Sequence, residues 1–266
     1  GAGYQVFTSP DLVRWTRAAK AYQPTKDSWG KQNFWAPEVI KVDGLFYLHY
    51  TSLNPRENRR NICVAVAESP LGPFKDYAGP LYPDRSIIDS HIYRDDESGK
   101  LYIYASPEHE PLSKILGAEL SQDLKQIITT PTVCLTSEYG WEDLWIEGPI
   151  IHKHNNTLYM IYSGGAYWEA DYALGYATAT SPLGPWTKAP GNPLLKKSRQ
   201  VEGPGHNGLA WSPDGRELFN IYHAHVSKYS IRRVAALDRL QFDKTTSGPD
   251  ILSAPSSPSH EPQPLP

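Results

Sequence analysis

A short strand, a tight turn and an aromatic-rich return strand recur four times along this chain. The copies read "APEVIKVDGLFYLHYTS", "DSHIYRDDESGKLYIYAS", "GPIIHKHNNTLYMIYSGG" and "NGLAWSPDGRELFNIYHAH". Their turns carry Asp-Gly, Glu-Ser-Gly, Asn-Asn and Pro-Asp-Gly, residues that accept the backbone conformations of tight hairpins. Tyr47, Tyr102, Tyr159 and Phe219 mark equivalent points, roughly 55–60 residues apart. A hairpin of this size cannot bury its own apolar face. Repeats of this kind gain a continuous core only by stacking on their neighbours.

A second segment type follows each hairpin: "ICVAVAESPLGPFKDY", "ILGAELSQDLKQI", "ALGYATATSPLGPWTK" and "IRRVAALDRLQFD". Small and apolar residues alternate, which predicts a third strand. The Ser-Pro-Leu-Gly-Pro turn then predicts an edge strand behind it. A unit of about four antiparallel strands, repeated, reads as a propeller blade. The N-terminal "YQVFTSPDLVRWTRAA" matches the second segment type without a first. The expectation is therefore an all-β, five-bladed β-propeller, one catalytic domain over residues 1–266. The inner hairpin of its first blade would precede residue 1, and residues 244–266 would form an irregular C-terminal tail. No long amphipathic helix is expected. The 24 prolines, 20 glycines and 17 tyrosines agree with many short strands and turns.

Several classes fall away. A formal charge of −3 without a basic cluster gives no electrostatic footprint for nucleic acid. No apolar run reaches the length of a membrane span. Cys63 and Cys134 are too few for a disulfide framework or a cysteine zinc site, and buried free thiols are expected. No secretory leader pattern is read at residue 1. Secreted and cytoplasmic locations both stay open, and oligomeric state is not set.

In a propeller the innermost strands face a central channel, so polar residues at their starts converge. Those starts are Trp35-Ala36-Pro37-Glu38, Ile88-Asp89-Ser90-His91, Ile146-Glu147-Gly148-Pro149 and Pro204-Gly205-His206-Asn207. Lined up, they offer Trp35, Asp89, Glu147 and His206 as equivalents. Glu147 stands out because it follows an apolar run, Leu144-Trp145-Ile146, where a carboxylate needs a partner or a task. Two carboxylates across an aromatic-lined pocket suit glycoside hydrolysis: one protonates the leaving oxygen, the other acts at the anomeric carbon or on water. Each residue also has a plainer reading. Asp89 could be a turn residue, Glu147 half of a structural ion pair, and His206 a satisfied core histidine.

The stretches "FWAPEVI", "SIIDSHIYRDDESGKLYIY", "WIEGPIIHKHNNTLYMIYSGG", "GYATATSPLGPW", "GPGHNGLAWSPDG" and "RRVAALDRLQF" together resemble glycoside hydrolase family 43, from about residue 4 onward. The resemblance implies a five-bladed propeller and hydrolysis with inversion, typically of plant cell-wall xylosides and arabinosides. Residue by residue, it makes Glu147 the general acid and Asp89 the residue that tunes the acid's pKa and orients it. It makes His206 the channel histidine, beside a central Ca2+ that many family members carry. It makes Arg233 (rather than its neighbour Arg232) a holder of sugar hydroxyls, and Trp35 the aromatic floor. Trp141, Trp145, Tyr167 and Trp168 are expected to wall the pocket. No organic cofactor is implied.

The family's base, an Asp before Pro at the start of the first inner hairpin, aligns with no residue here. Asp11 lies on an outer turn, and Glu38 occupies a position that is acidic in the family without being the base. The leading expectation is an exo-acting β-xylosidase and/or α-L-arabinofuranosidase on xylo- or arabino-oligosaccharides or polysaccharides. The alternatives are an endo-arabinanase, a carbohydrate-binding propeller without catalysis, and a protein-scaffold propeller of the WD type, whose dipeptide signature is missing.

Overall fold

A computed structural model describes residues 3–227 and 230–254. Its described residues are almost entirely β. They fall into two compact units, residues 1–111 with 115–133 and residues 112–114 with 134–266.

The chain opens with a two-stranded sheet, β1 (Tyr4–Thr8) and β2 (Thr16–Tyr22). Four four-stranded antiparallel blades follow, each in simple up-and-down order. The first is β3 (Gln32–Val42), β4 (Leu45–Asn54), β5 (Arg59–Ala67) and β6 (Lys75–Ala78). The second is β7 (Ile87–Arg94), β8 (Leu101–Pro107), β9 (Lys114–Leu120) and β10 (Thr132–Thr136). The third is β11 (Ile146–His154), β12 (Thr157–Gly164), β13 (Ala173–Ala179) and β14 (Thr187–Lys188). The fourth is β15 (Glu202–Trp211), β16 (Leu218–Ser227), β17 (Ser230–Asp243) and β18 (Ile251–Ser253). Among the described residues a single 3₁₀ turn, Gly140–Glu142, leads towards β11.

The predicted segment types take their predicted places. The recurring hairpins are β3–β4, β7–β8, β11–β12 and β15–β16. The two Ser-Pro-Leu-Gly-Pro turns deliver the edge strands β6 and β14. The return strands do not alternate: seven consecutive residues of β12, Leu158–Gly164, are buried. That pattern belongs to a strand covered on both faces, and it explains why "TLYMIYSG" reads as an unbroken apolar run. Within the first unit, Ile62, Ile87, Ile92, Leu101 and Ile103 share one core, and Tyr22, Tyr50 and Phe74 share another. In the second, Tyr159, Ile161, Leu174, Leu218, Tyr222 and Leu252 pack together.

The C-terminal segment differs from expectation. Ile251–Ser253 pairs antiparallel with Gln241–Asp243 and completes the fourth blade. Its register is fixed from outside the strand pair. Asp250 meets His154 Nε2 at 3.1 Å, and its carbonyl accepts from the Tyr159 hydroxyl at 2.6 Å. Leu252 enters the core. The rest of the expected tail, residues 255–266, lies outside the described residues. Cys63 and Cys134 are free and buried, and burial pushes both thiols up to about 12. No helix among the described residues is long and apolar enough to cross a membrane.

Candidate functional site

Each inner strand contains a residue in the left-handed backbone region at a bulge: Ala36 (φ 43°), Asp89 (φ 57°), Gly148 (φ 60°) and His206 (φ 46°); β3 and β15 carry a second, Asn33 (φ 50°) and Gly203 (φ 57°). An extra residue at a bulge re-aims the side chains beside it, and non-glycine residues held at positive φ concentrate at functional sites. The pairing on either side fixes the true equivalence. Trp35, Ile88, Glu147 and Gly205 face Thr51, Ser106, Ser163 and His223. Trp35 and Glu147 thus immediately precede the left-handed step, whereas Asp89 and His206 occupy it. The line-up of all four as equivalents is one residue out for two of them, because a bulge shifts the side-chain period by one and leaves no mark in an apolar run.

The bulges are clipped to the preceding blade. The Asp89 amide donates to Thr51 Oγ1 at 2.9 Å, and the His206 amide donates to Ser163 Oγ at 2.8 Å. The clipping hydroxyl sits at the same register position of the return strand in both cases, so the repeat carries its own device for placing Asp89 and His206.

In the second unit Glu147 is buried, 6% exposed. The Trp145 indole N–H donates to its Oε2 at 2.5 Å and the Tyr172 hydroxyl to its Oε1 at 2.7 Å. Ser113 fixes the strand entry: its Oγ accepts from the Ile146 amide at 2.9 Å and donates to the Ile146 carbonyl at 3.1 Å. Gly148 leaves room for the His206 ring, whose Nδ1 would lie 3.1 Å from a Cβ there. Tyr172 stacks on His223, with ring centroids 5.4 Å apart and planes within 9°. His223 is held neutral: burial pushes it down to about 3, helped by the charges of Arg233, His206 and His225. His225 Nε2 donates to the Tyr167 carbonyl at 3.0 Å, the Arg233 guanidinium lies 5.1 Å over the Tyr167 ring, and Trp168 stands edge-on to that ring. Contacts therefore run from Glu147 through Tyr172 to His223, while Arg233 and His225 meet at Tyr167.

In the first unit Asp89 is buried, and its neighbour Ser90 meets His49 Nδ1 at 2.9 Å. Burial pushes His49 down to about 4, against the pull of Glu38. Glu38 Oε2 lies 2.7 Å from His91 Nδ1. Trp35 is 41% exposed, and the Arg60 guanidinium covers one face of its ring at 4.4 Å. Arg60 is itself clamped by Glu108 at 2.8 and 3.2 Å. Trp35 thus rests on a cation with one face while much of its ring stays exposed.

The family profile described as "Glycosyl hydrolases family 43" matches residues 1–246. The chain belongs to glycosyl hydrolases family 43. A solved thermostable family-43 glycoside hydrolase superposes with a TM-score of 0.91 at 38% identity, over 99% of this chain and 88% of that one. An endo-1,4-beta-xylanase of Bacteroides thetaiotaomicron gives 0.85 at 33%, over 97% and 87%. Among curated proteins, a beta-D-galactofuranosidase of Aspergillus niger is 26% identical over 91% of this chain and 72% of its own length. The chain spans less of other relatives: 46% of an extracellular exo-alpha-(1->5)-L-arabinofuranosidase of Streptomyces avermitilis and 57% of a beta-xylosidase of Xylanibacter ruminicola, which it matches at 25% and 27% identity over 81% and 60% of this chain.

Within this family-43 chain the expected residues divide between the two units. Trp35 and Asp89 lie in the first. Trp145, Glu147, Trp168, His206 and Arg233 lie in the second. Arg233 rather than Arg232 stands beside Tyr167. Trp145 contacts Glu147 directly. Trp141 packs its ring on Gly164 and Gly175, where a Cβ would come within 2.5 and 2.6 Å. Asp11 caps its own turn, accepting from the Val13 and Arg14 amides. No group of three or more His, Cys, Asp or Glu converges among the described residues. Calcium takes six to eight oxygens, so no cluster of protein side chains among them completes a calcium shell. Tyr172, His223, Arg60 and Glu108 went unnoticed in the sequence. Tyr172, Arg60 and Glu108 lie outside the recurring hairpins, whereas His223 stands at the return-strand position of Thr51, Ser106 and Ser163.

Proposed function

We propose that the chain is an inverting, exo-acting glycosidase on plant cell-wall pentosides, a β-xylosidase and/or α-L-arabinofuranosidase, with Glu147 as general acid. The observation that carries this is the setting of Glu147: a buried carboxyl at the start of an inner strand, gripped at both oxygens by neutral donors. A group so held is oriented for proton transfer to a leaving oxygen. Asp89 is the second carboxyl of the reading. The family resemblance gives it the role of tuning the acid's pKa and orienting it. Trp35 and Trp168 offer flat apolar faces to a sugar ring, and Arg233 offers a forked donor to its hydroxyls. Part of the same reading is a fifth blade carrying β1 and β2 as its outer strands.

Xylosidases and arabinofuranosidases among the relatives support the substrate class. The similarity to an endo-xylanase supports a second reading, an endo-acting enzyme in an open groove. Turnover of nitrophenyl β-D-xyloside and α-L-arabinofuranoside, measured beside xylan and debranched arabinan, separates the two. Turnover of polymer alone would reject the exo reading. Sugar binding without turnover of any of the four would replace both with a non-catalytic carbohydrate-binding propeller.

A further inference from the structure

We infer that Tyr172 is a positioning residue for proton donation, fixing which oxygen of Glu147 delivers the proton; this rests on the reading of Glu147 as general acid. Tyr172 is fully buried, and its hydroxyl donates to Oε1 at 2.7 Å. Its ring has no freedom to leave. One neighbour is the parallel ring of His223, and another is Gly205, where a Cβ would stand 2.1 Å from Tyr172 Cε1. His223, kept neutral by burial, packs there without a charge of its own. Oε1 is therefore committed to a rigid interior donor.

The other oxygen differs. Oε2 is met by Trp145, which is only half-buried. Trp145 is the more exposed of the two donors, so the transferable proton is assigned to Oε2. As the glycosidic C–O bond breaks, the leaving oxygen takes that proton, and the electron pair of the Oε2–H bond stays on Glu147. The carboxylate so formed accepts from Tyr172 and Trp145 at once. Hydrogen bonds to the ionised form stabilise it, so both donors favour the charge that develops during proton transfer rather than the acid before it.

Tyr172→Phe keeps the stacked ring and removes only the donor. Two readouts test it in the full-length protein. On aryl glycosides of the pentose that the wild type cleaves, Tyr172→Phe should slow substrates with poor leaving groups about 10-fold. Dinitrophenyl substrates, which need little protonation, should change less than about twofold. The alkaline limb of kcat/KM should move to higher pH, because a donor favouring the ionised acid is lost. The second readout needs no turnover. The carboxyl carbon of 13C-labelled Glu147, assigned with Glu147→Gln, should titrate at higher pH in Tyr172→Phe. A fluorinated tyrosine at 172, a stronger donor, should move it the opposite way, which a purely structural role would not do. Equal losses for all leaving groups, or an unmoved titration, would overturn the inference. Glu147→Ala run alongside separates the failures. A large selective loss there with no effect of Tyr172→Phe removes Tyr172 alone. A loss below about tenfold removes Glu147 as the acid and this inference with it.

Discussion

Lys188 sets its ammonium 2.8 Å from Oε2 of Glu142, and both side chains are buried. The same carboxylate accepts from the Tyr162 hydroxyl and from the amides of Glu138 and Tyr139. Burial pushes Glu142 up, but Lys188 and these donors outweigh it and hold it below the usual carboxylate range. The pair anchors the turn whose exit is Trp145-Ile146-Glu147: the Gly165 amide donates to the carbonyls of both Glu142 and Trp145. Removing one partner of such a pair strands the other charge. Lys188→Met should therefore cost about 3–5 kcal/mol and lower Tm by on the order of 10 °C. Adding Glu142→Gln should recover part of it. Calorimetry on the two variants decides the matter, and additive losses would exclude the pairing.

The sign of the pH dependence follows from the same carboxylate. Its folded pKa is depressed, so its contribution is present above the ordinary carboxylate pKa and is lost as pH falls from there through the lower folded pKa. Two histidines act from higher pH. His49 and His223 are held down, to about 4 and about 3, from an ordinary value of 6.5. Below pH 6.5 the unfolded chain takes up protons that the folded chain refuses, so stability falls as pH drops towards 4 and 3. Each site contributes up to about 1.4 kcal/mol per pH unit. Urea unfolding between pH 7 and 4 should show this slope, and His49→Gln should flatten it. An unchanged slope in the variant would mean that His49 is not buried neutral.

Glu147→Ala should slow hydrolysis of poor leaving groups by about 10²–10⁴ and leave activated aryl leaving groups much less affected. Steady-state kinetics over a series of leaving groups measures the ratio. A uniform loss would point to binding rather than proton donation.

Gly205→Ala places a methyl 2.1 Å from Tyr172 Cε1. Overpacking at a rigid contact costs about 1–3 kcal/mol. Here the ring must also leave its hydrogen bond to Glu147. Activity on poor leaving groups should fall at least as far as in Tyr172→Phe, with lower Tm. Wild-type activity in Gly205→Ala would show that the ring has room to move.

Arg60→Met should uncover the rear face of Trp35 and leave Glu108, a mostly buried carboxylate, without its guanidinium. A loss of about 1–3 kcal/mol in chemical unfolding and a changed Trp fluorescence are expected. A rise in KM larger than any fall in kcat would match a damaged sugar platform.

Much of this was written in the chain itself. Strand period, turn chemistry and repeat length act locally, so the hairpins, the third strands and the Ser-Pro-Leu-Gly-Pro edge strands were legible. So was the exceptional place of Glu147, because a carboxylate after Leu144-Trp145-Ile146 violates the local pattern. Register was not legible. The left-handed residues at Ala36, Asp89, Gly148 and His206 shift the side-chain period by one residue, and nothing in their apolar flanks records the shift. Nor was the last strand, since Ile251–Ser253 is held by Asp250, His154 and Tyr159 across nearly a hundred residues. The same holds for the grip on Glu147. Sequence supplied a tyrosine at 172 like sixteen others. Only folding, by laying its ring between His223 and a glycine with no Cβ, aimed that one hydroxyl at the carboxyl, because orientation is fixed by packing between distant segments and not by the residues next along the chain.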